Sequence, residues 1–98
     1  MPFDSIYMAV RCPKCGTTIR RDCQTKSMRR QFVLYQPGDQ INYPHLFIDC
    51  TAYCNNSDCI EKRYLKGQLI ASDYYFGVRI YLKDGVILEK YSTFALKD

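Results

Sequence analysis

Five cysteines fall into two groups along the chain. Cys12 and Cys15 stand in "RCPKCGTT", and Cys50, Cys54 and Cys59 stand in "DCTAYCNNSDC". Grouped thiols are the ligands of soft and borderline metals, and a tetrahedral site takes four of them. "CPKCG" is the more specific signal. Two residues between cysteines make a tight turn that aims both sulfurs at one ion. Pro13 sets its own φ, and Gly16 permits a positive φ just past the turn, where main-chain N–H groups can point at the thiolates. The same spacing also serves thioredoxin-type redox pairs, but those open a helix in a βαβ context. Here the chain runs on as "TTIRRD", β-branched and without helical period, which favours metal over redox chemistry.

The other two ligands follow from reach. Thiolates bound to one zinc at about 2.3 Å lie about 3.8 Å apart in a tetrahedron. "HLFIDCTAYC" alternates Leu46, Ile48, Cys50, Ala52 and Cys54 on one face, a strand pattern. Along a strand Cys50 and Cys54 are separated by four steps, roughly 13 Å, and cannot share an ion. Cys54 and Cys59 instead flank "NNSD", all turn formers, which can fold the two thiols together. The expected ligands are therefore Cys12, Cys15, Cys54 and Cys59. Cys50 is then a small core hydrophobe in line with Ile48. Were the segment to coil into a helical turn instead, Cys50 and Cys54 would be neighbours and Cys50 could replace Cys54 or Cys59. Cys23, in "RDCQTK", is expected in the core. His45, the one histidine, is expected in a loop beside Pro44 rather than at the metal.

Four cysteines close a coordination shell and leave no position for water or substrate, so one structural Zn²⁺ per chain is expected, not a catalytic one. The ion would tie together two turns 38 residues apart in sequence. In a chain of 98 residues, which buries only about two-thirds of its unfolded surface, such a cross-link matters.

The elements that must position these turns read as short strands. "SIYMAVRC" alternates Ile6, Met8, Val10 and Cys12 against Tyr7, Ala9 and Arg11 and leads into the first cysteine pair. Gln31–Tyr35 reads as a second strand, ended by a type II turn at Pro37-Gly38. "FGVRIYLKDGVILEKYSTF" is a hairpin turning at Asp84-Gly85, with Val78, Ile80 and Leu82 on one face. Residues 57–72 are ambiguous. Asp58-x-x-Glu61 resembles a helix capping box, whereas Lys66-Gly67 suits a hairpin, and a mid-helix Gly67 would cost about 1 kcal/mol, which favours strand or irregular structure there. The whole is expected to be one mainly β domain over residues 1–98. It would hold five to seven short strands in a small antiparallel sheet or curled barrel, with the four-cysteine metal site at one end and room for one short helix.

The opening "MPFDSIYMAV" has an acid and no basic, continuously apolar stretch, so it does not read as a signal peptide. Nor does any apolar run approach the roughly 20 residues that span a bilayer. A cytoplasmic location, with thiols kept reduced, follows as an expectation. The formal charge of +4 sits entirely in residues 1–40, the remainder being balanced.

"CPKCG", "CQTKS", "YQPGD", a second cysteine pair and "YLKDGVI" together resemble the small zinc-ribbon proteins of bacteria and their phages, over residues 10–92. The second pair is spaced more widely than usual, and residues 57–77 look like additional sequence. The resemblance implies a zinc-stabilised β fold and little about activity.

Enzymatic function is not expected. One histidine cannot assemble a nucleophile–base pair, no phosphate-binding glycine loop appears, and the acids are scattered singly. No small-molecule substrate or membrane is implied. Two binding functions remain. Nine tyrosines, with "DYYF" among them, suit a module that docks on a protein partner. Arg20, Arg21, Lys26, Arg29 and Arg30, with Phe32 and Tyr35 nearby, suit phosphate contact and base stacking in a nucleic-acid-binding ribbon. The protein partner is the preferred expectation.

Overall fold

A computed structural model describes residues 3–28, 30–56, 59 and 61–96. The alternation of Ile6, Met8 and Val10 is realised as β1 (Asp4–Arg11), which buries all three. It pairs antiparallel with β2 (Thr18–Thr25), whose inner face is Arg21, Cys23 and Thr25. β4 (Phe47–Cys54) buries Ile48, Cys50, Ala52 and Cys54, as its pattern predicts. β7 (Tyr74–Lys83) and β8 (Val86–Phe94) form the expected hairpin, with Asp84 at φ 53° and Gly85 at φ 78°, the two positive values a type I′ turn requires. Between β4 and β7 in sequence, β5 (Glu61–Leu65) and β6 (Gln68–Ser72) pair only with each other.

The main sheet has the order β3-β1-β2-β4-β7-β8, where β3 is Leu34–Tyr35. All neighbours are antiparallel except β1 and β3, so the sheet is mixed. It curls into a half-barrel. Segment 38–41 laps the start of β8, where Gly38 N–H donates to Ile87 O (2.7 Å) and Ile87 N–H to Asp39 O (3.0 Å). The fold is mainly β, curled and without a helix among the described residues, with a cysteine cluster at one end.

Three expectations need correction, and one ambiguity is resolved. The strand expected over Gln31–Tyr35 shrinks to two residues, because Phe32 takes φ 57° and breaks the extended run. Arg30 is also left-handed, at φ 58°. The buried carboxylate of Asp4 holds this loop by accepting the main-chain N–H groups of Arg30 (2.8 Å), Gln31 (3.0 Å) and Val33 (3.0 Å). Residues 61–72 form the hairpin at Lys66-Gly67, both at positive φ, rather than irregular structure; Asp58, the start of the would-be capping box, lies outside the described residues. Leu46 does not join the buried face of β4 but is 74% exposed, one residue before the strand begins. And β2, not read as a strand from the sequence, is central to the sheet. Its two arginines at 20 and 21 and its acid at 22 hide the alternation. The turn at Pro37-Gly38 is as read: Asp39 N–H donates to Gln36 O (3.0 Å) and Gly38 has φ 96°.

Candidate metal centre

β1 delivers Cys12 at its end, fully buried, and the chain turns at once. Gly16 N–H donates to Cys12 O (2.9 Å), and Cys12 N–H donates to Thr17 O (3.0 Å). Gly16 has φ 79°, the freedom the knuckle needs to bring Cys15 back beside Cys12. The same side of the molecule receives the end of β4, with Cys54 2% exposed. Just beyond it, Cys59 N–H donates to Asn56 O (2.8 Å).

The sulfurs meet across the two turns. Cys12 Sγ lies 3.6 Å from Cys59 Sγ, and Cys15 Sγ lies 3.8 Å from Cys54 Sγ. All four sulfurs lie within 4.8 Å of one another, so together they could hold a metal ion. Both cross-pairs match the separation of about 3.8 Å set by a tetrahedral zinc and far exceed the S–S bond length of about 2.05 Å. None of the six cysteines is disulfide-bonded.

The surroundings are polar on one side and charged on the other. Thr17 Oγ1 lies 3.3 Å from Cys15 Sγ, and the Asn56 amide approaches both that sulfur (3.9 Å) and the Thr17 hydroxyl (3.3 Å). The Thr17 hydroxyl, followed by its main-chain N–H, draws the Cys15 thiol down to about 6. Burial pushes the Cys59 thiol up, and its sulfur neighbours hold it there. The Cys15 thiolate therefore forms readily and ionisation of Cys59 is resisted. A divalent cation at the centre removes that resistance, because a coordinating thiol deprotonates outright. Cations also border the cluster. The Arg11 guanidinium lies beside Gly16, and Lys14 Nζ sits 5.2 Å from the Tyr74 ring.

Cys50 and Cys23 are not in the cluster. Both are buried in the core, with burial pushing the Cys23 thiol up to about 12 and the Cys50 thiol higher still. Each sulfur faces the carbonyl two residues before it. His45 is exposed in a loop against Tyr43 (5.1 Å between rings), away from the sulfurs. Thr17 and Asn56 border the cluster, and the sequence reading misses them. The signal is there, since both are short polar residues within two positions of an expected ligand.

The expected basic segment does not form one surface. Arg21 is 5% exposed, and its guanidinium donates to three main-chain carbonyls: Val10 (3.0 Å), Tyr53 (2.9 Å) and Thr17 (3.0 Å). It clamps β1 and β4 to the knuckle and is withdrawn from solvent, so its assignment to nucleic-acid contact is corrected. Arg20 points to the opposite face, over the Tyr7 ring at 5.9 Å. Lys26 and Arg30 are exposed at the far end of β2, roughly 20 Å along the strand from Arg20, where Arg30 Nε donates to Lys26 O (2.8 Å). Arg29 lies outside the described residues.

Compared with protein-family models, curated proteins and solved structures, the chain matches none.

Proposed function

We propose that the chain is a non-enzymatic, zinc-stabilised β module of the zinc-ribbon kind that binds a protein partner. The observation that carries the reading is the all-sulfur donor set, four thiols from two distant turns gathered within 4.8 Å. Four soft donors favour Zn²⁺, and with the shell closed the ion acts as a cross-link rather than as a Lewis acid toward a substrate. Cys12, Cys15, Cys54 and Cys59 would hold it, and Thr17 and Asn56 would support the Cys15 sulfur from outside the shell. Six unpaired cysteines fit a reducing compartment such as the cytoplasm.

Partner binding is supported by the outer face of the sheet. The Tyr53 and Tyr75 rings meet at a tilt across β4 and β7 (5.9 Å between centroids), with 43% and 53% exposure. Phe94 packs its ring over Gly77, where a Cβ would collide with it. Arg79 bridges Asp49 through two hydrogen bonds (2.8 and 3.0 Å) while lying 4.1 Å from the Phe47 ring. Exposed aromatics held in place around an arginine are the composition of interface centres. The test is affinity capture from the native cell with and without nuclease. A partner retained after nuclease supports the reading; capture that disappears with nuclease rejects it in favour of nucleic acid.

That second reading keeps one specific support, the Arg20–Tyr7 stack beside Tyr53, a cation–aromatic arrangement suited to a single strand. Binding to a single-stranded oligonucleotide that falls steeply from low to moderate salt would favour it.

A further inference from the structure

The half-barrel is closed along only part of its seam. β1, β4 and β8 run in one direction and β2 and β7 in the other, as the antiparallel pairings require. The two strands that face each other across the seam, β1 and β8, are therefore parallel to one another. The chain's own segment fills one half. There β3 pairs with Ser5 and Ile6 of β1, and Gly38 and Asp39 bond Ile87 of β8. Beyond it, Tyr7–Arg11 and the latter part of β8 confront each other without a strand between.

The main chain on both sides is set to receive one. Ser5 N–H donates outward to Val33 O, so by strand alternation Tyr7 and Ala9 also turn their N–H and C=O groups to the seam. On the other side, Leu82 N–H donates to Leu46 O, toward β4. Ile80 and Val78 share that orientation, so their partners Tyr91 and Thr93 present their main-chain groups away from β7, to the seam. Among the described residues, the hydrogen bond across this stretch is Arg11 N–H to the Tyr91 hydroxyl, at 2.9 Å, a side-chain strut rather than a ladder. A cleft of about 390 Å³ lies here, lined by Met8, Ala9, Arg20, Gln36, Pro37 and Glu89.

We propose that this seam is a β-augmentation site. It takes an extended segment of a protein partner, about five residues long to match Tyr7–Arg11, running antiparallel to both β1 and β8. One such strand would close the remaining part of the seam with antiparallel pairings on both sides, beyond the parallel β1–β3 contact. The inserted residues would alternate, apolar toward Met8 and the Tyr91 ring and polar toward solvent. β1 and β8 approach to within 8 Å, Cα to Cα, at their nearest residues, whereas an inserted strand needs about 9.6 Å between its neighbours, so docking must widen the seam there by about 2 Å or more and move Tyr91 off Arg11. The inference rests on the protein-binding reading above and specifies how that binding occurs.

A displayed library of random linear peptides, selected on the zinc-loaded chain, supplies the probe. Selected peptides are expected to alternate apolar and polar residues and to slow amide exchange at Tyr7, Ala9, Tyr91 and Thr93. Ala9→Pro and Thr93→Pro each remove a seam-facing N–H without touching the ladders to β2 or β7, and each should weaken peptide binding about tenfold or more at unchanged zinc content. Failure to select any peptide, protection at other amides, or undiminished binding by both proline variants overturns the site. If the proline variants do not fold, the wild-type exchange pattern decides alone. A concentration-dependent dimer that protects the same four amides without peptide would assign the seam to a second copy and also overturn the proposal. A native partner whose binding ignores both prolines would leave the interaction module standing while removing this site.

Discussion

At the residue scale the six cysteines divide by what surrounds each sulfur. Four converge and two are enclosed by aliphatic neighbours. Cys54→Ser is expected to lose bound zinc, whereas Cys50→Ser should retain one ion per chain, as elemental analysis of the purified variants would read. The two core thiols also carry a pH signature. Cys23 is pushed from 9.0 up to about 12, chiefly by burial. Between those values the unfolded chain releases the proton and the folded chain keeps it, so stability falls as pH rises. Each such thiol contributes about 1.4 kcal/mol per pH unit there. Denaturant midpoints measured from pH 9 upward should decline, and Cys23→Ala should flatten the slope. The enclosure of Cys50 could be read from its place in a strand alternation. The burial of Arg21 could not. It required knowing that three carbonyls, from β1, β4 and the knuckle, meet at one point.

At the element scale, turns and loop anchors decide whether the strands find their partners. Gly85 combines φ 78° with a backbone neighbour: a Cβ there would sit 2.8 Å from Ile41 O. Gly38 has a positive φ and open space around it. Gly85→Ala should therefore cost about 2 kcal/mol or more, and Gly38→Ala about 1 kcal/mol, as compared by thermal or chemical unfolding. Asp4 is the corresponding anchor for the 30–33 loop. Asp4→Ala strips three N–H groups of their acceptor, with an expected loss of about 2–3 kcal/mol and faster amide exchange at Gln31 and Val33. The Asp84-Gly85 hairpin was legible because its turn chemistry is local. The start of β3 was not, since it is dictated by a carboxylate 26 or more residues away, although the strand itself was expected within Gln31–Tyr35.

At the scale of the whole molecule, an ion held by the four sulfurs would make the half-barrel depend on metal. The knuckle and the Cys54 and Cys59 thiols lie at one end of β1 and β4, and the ion would join them where the sheet supplies no ladder. An apparent zinc affinity on the order of 10–16 kcal/mol rivals the entire stability of a typical domain, about 5–15 kcal/mol. Removing metal with a strong chelator should therefore abolish the cooperative unfolding transition, and Zn²⁺ should restore it. A chain that stays fully folded in chelator would remove the structural role from the ion.

The sequence by itself determined the β character, the C-terminal hairpin and the knuckle, because strand alternation, an Asp-Gly turn and Cys-x-x-Cys act over a few residues. It also narrowed the second sulfur pair, through the rise of a strand. Tertiary structure alone decided that β2 runs through the middle of the sheet, that Arg21 turns inward while Arg20 turns out, and that β1 and β8 face each other across a seam that β3 and segment 38–41 fill in part. Those outcomes depend on which segments become neighbours in space, and neighbours far apart in sequence leave no periodic mark on the residues that meet.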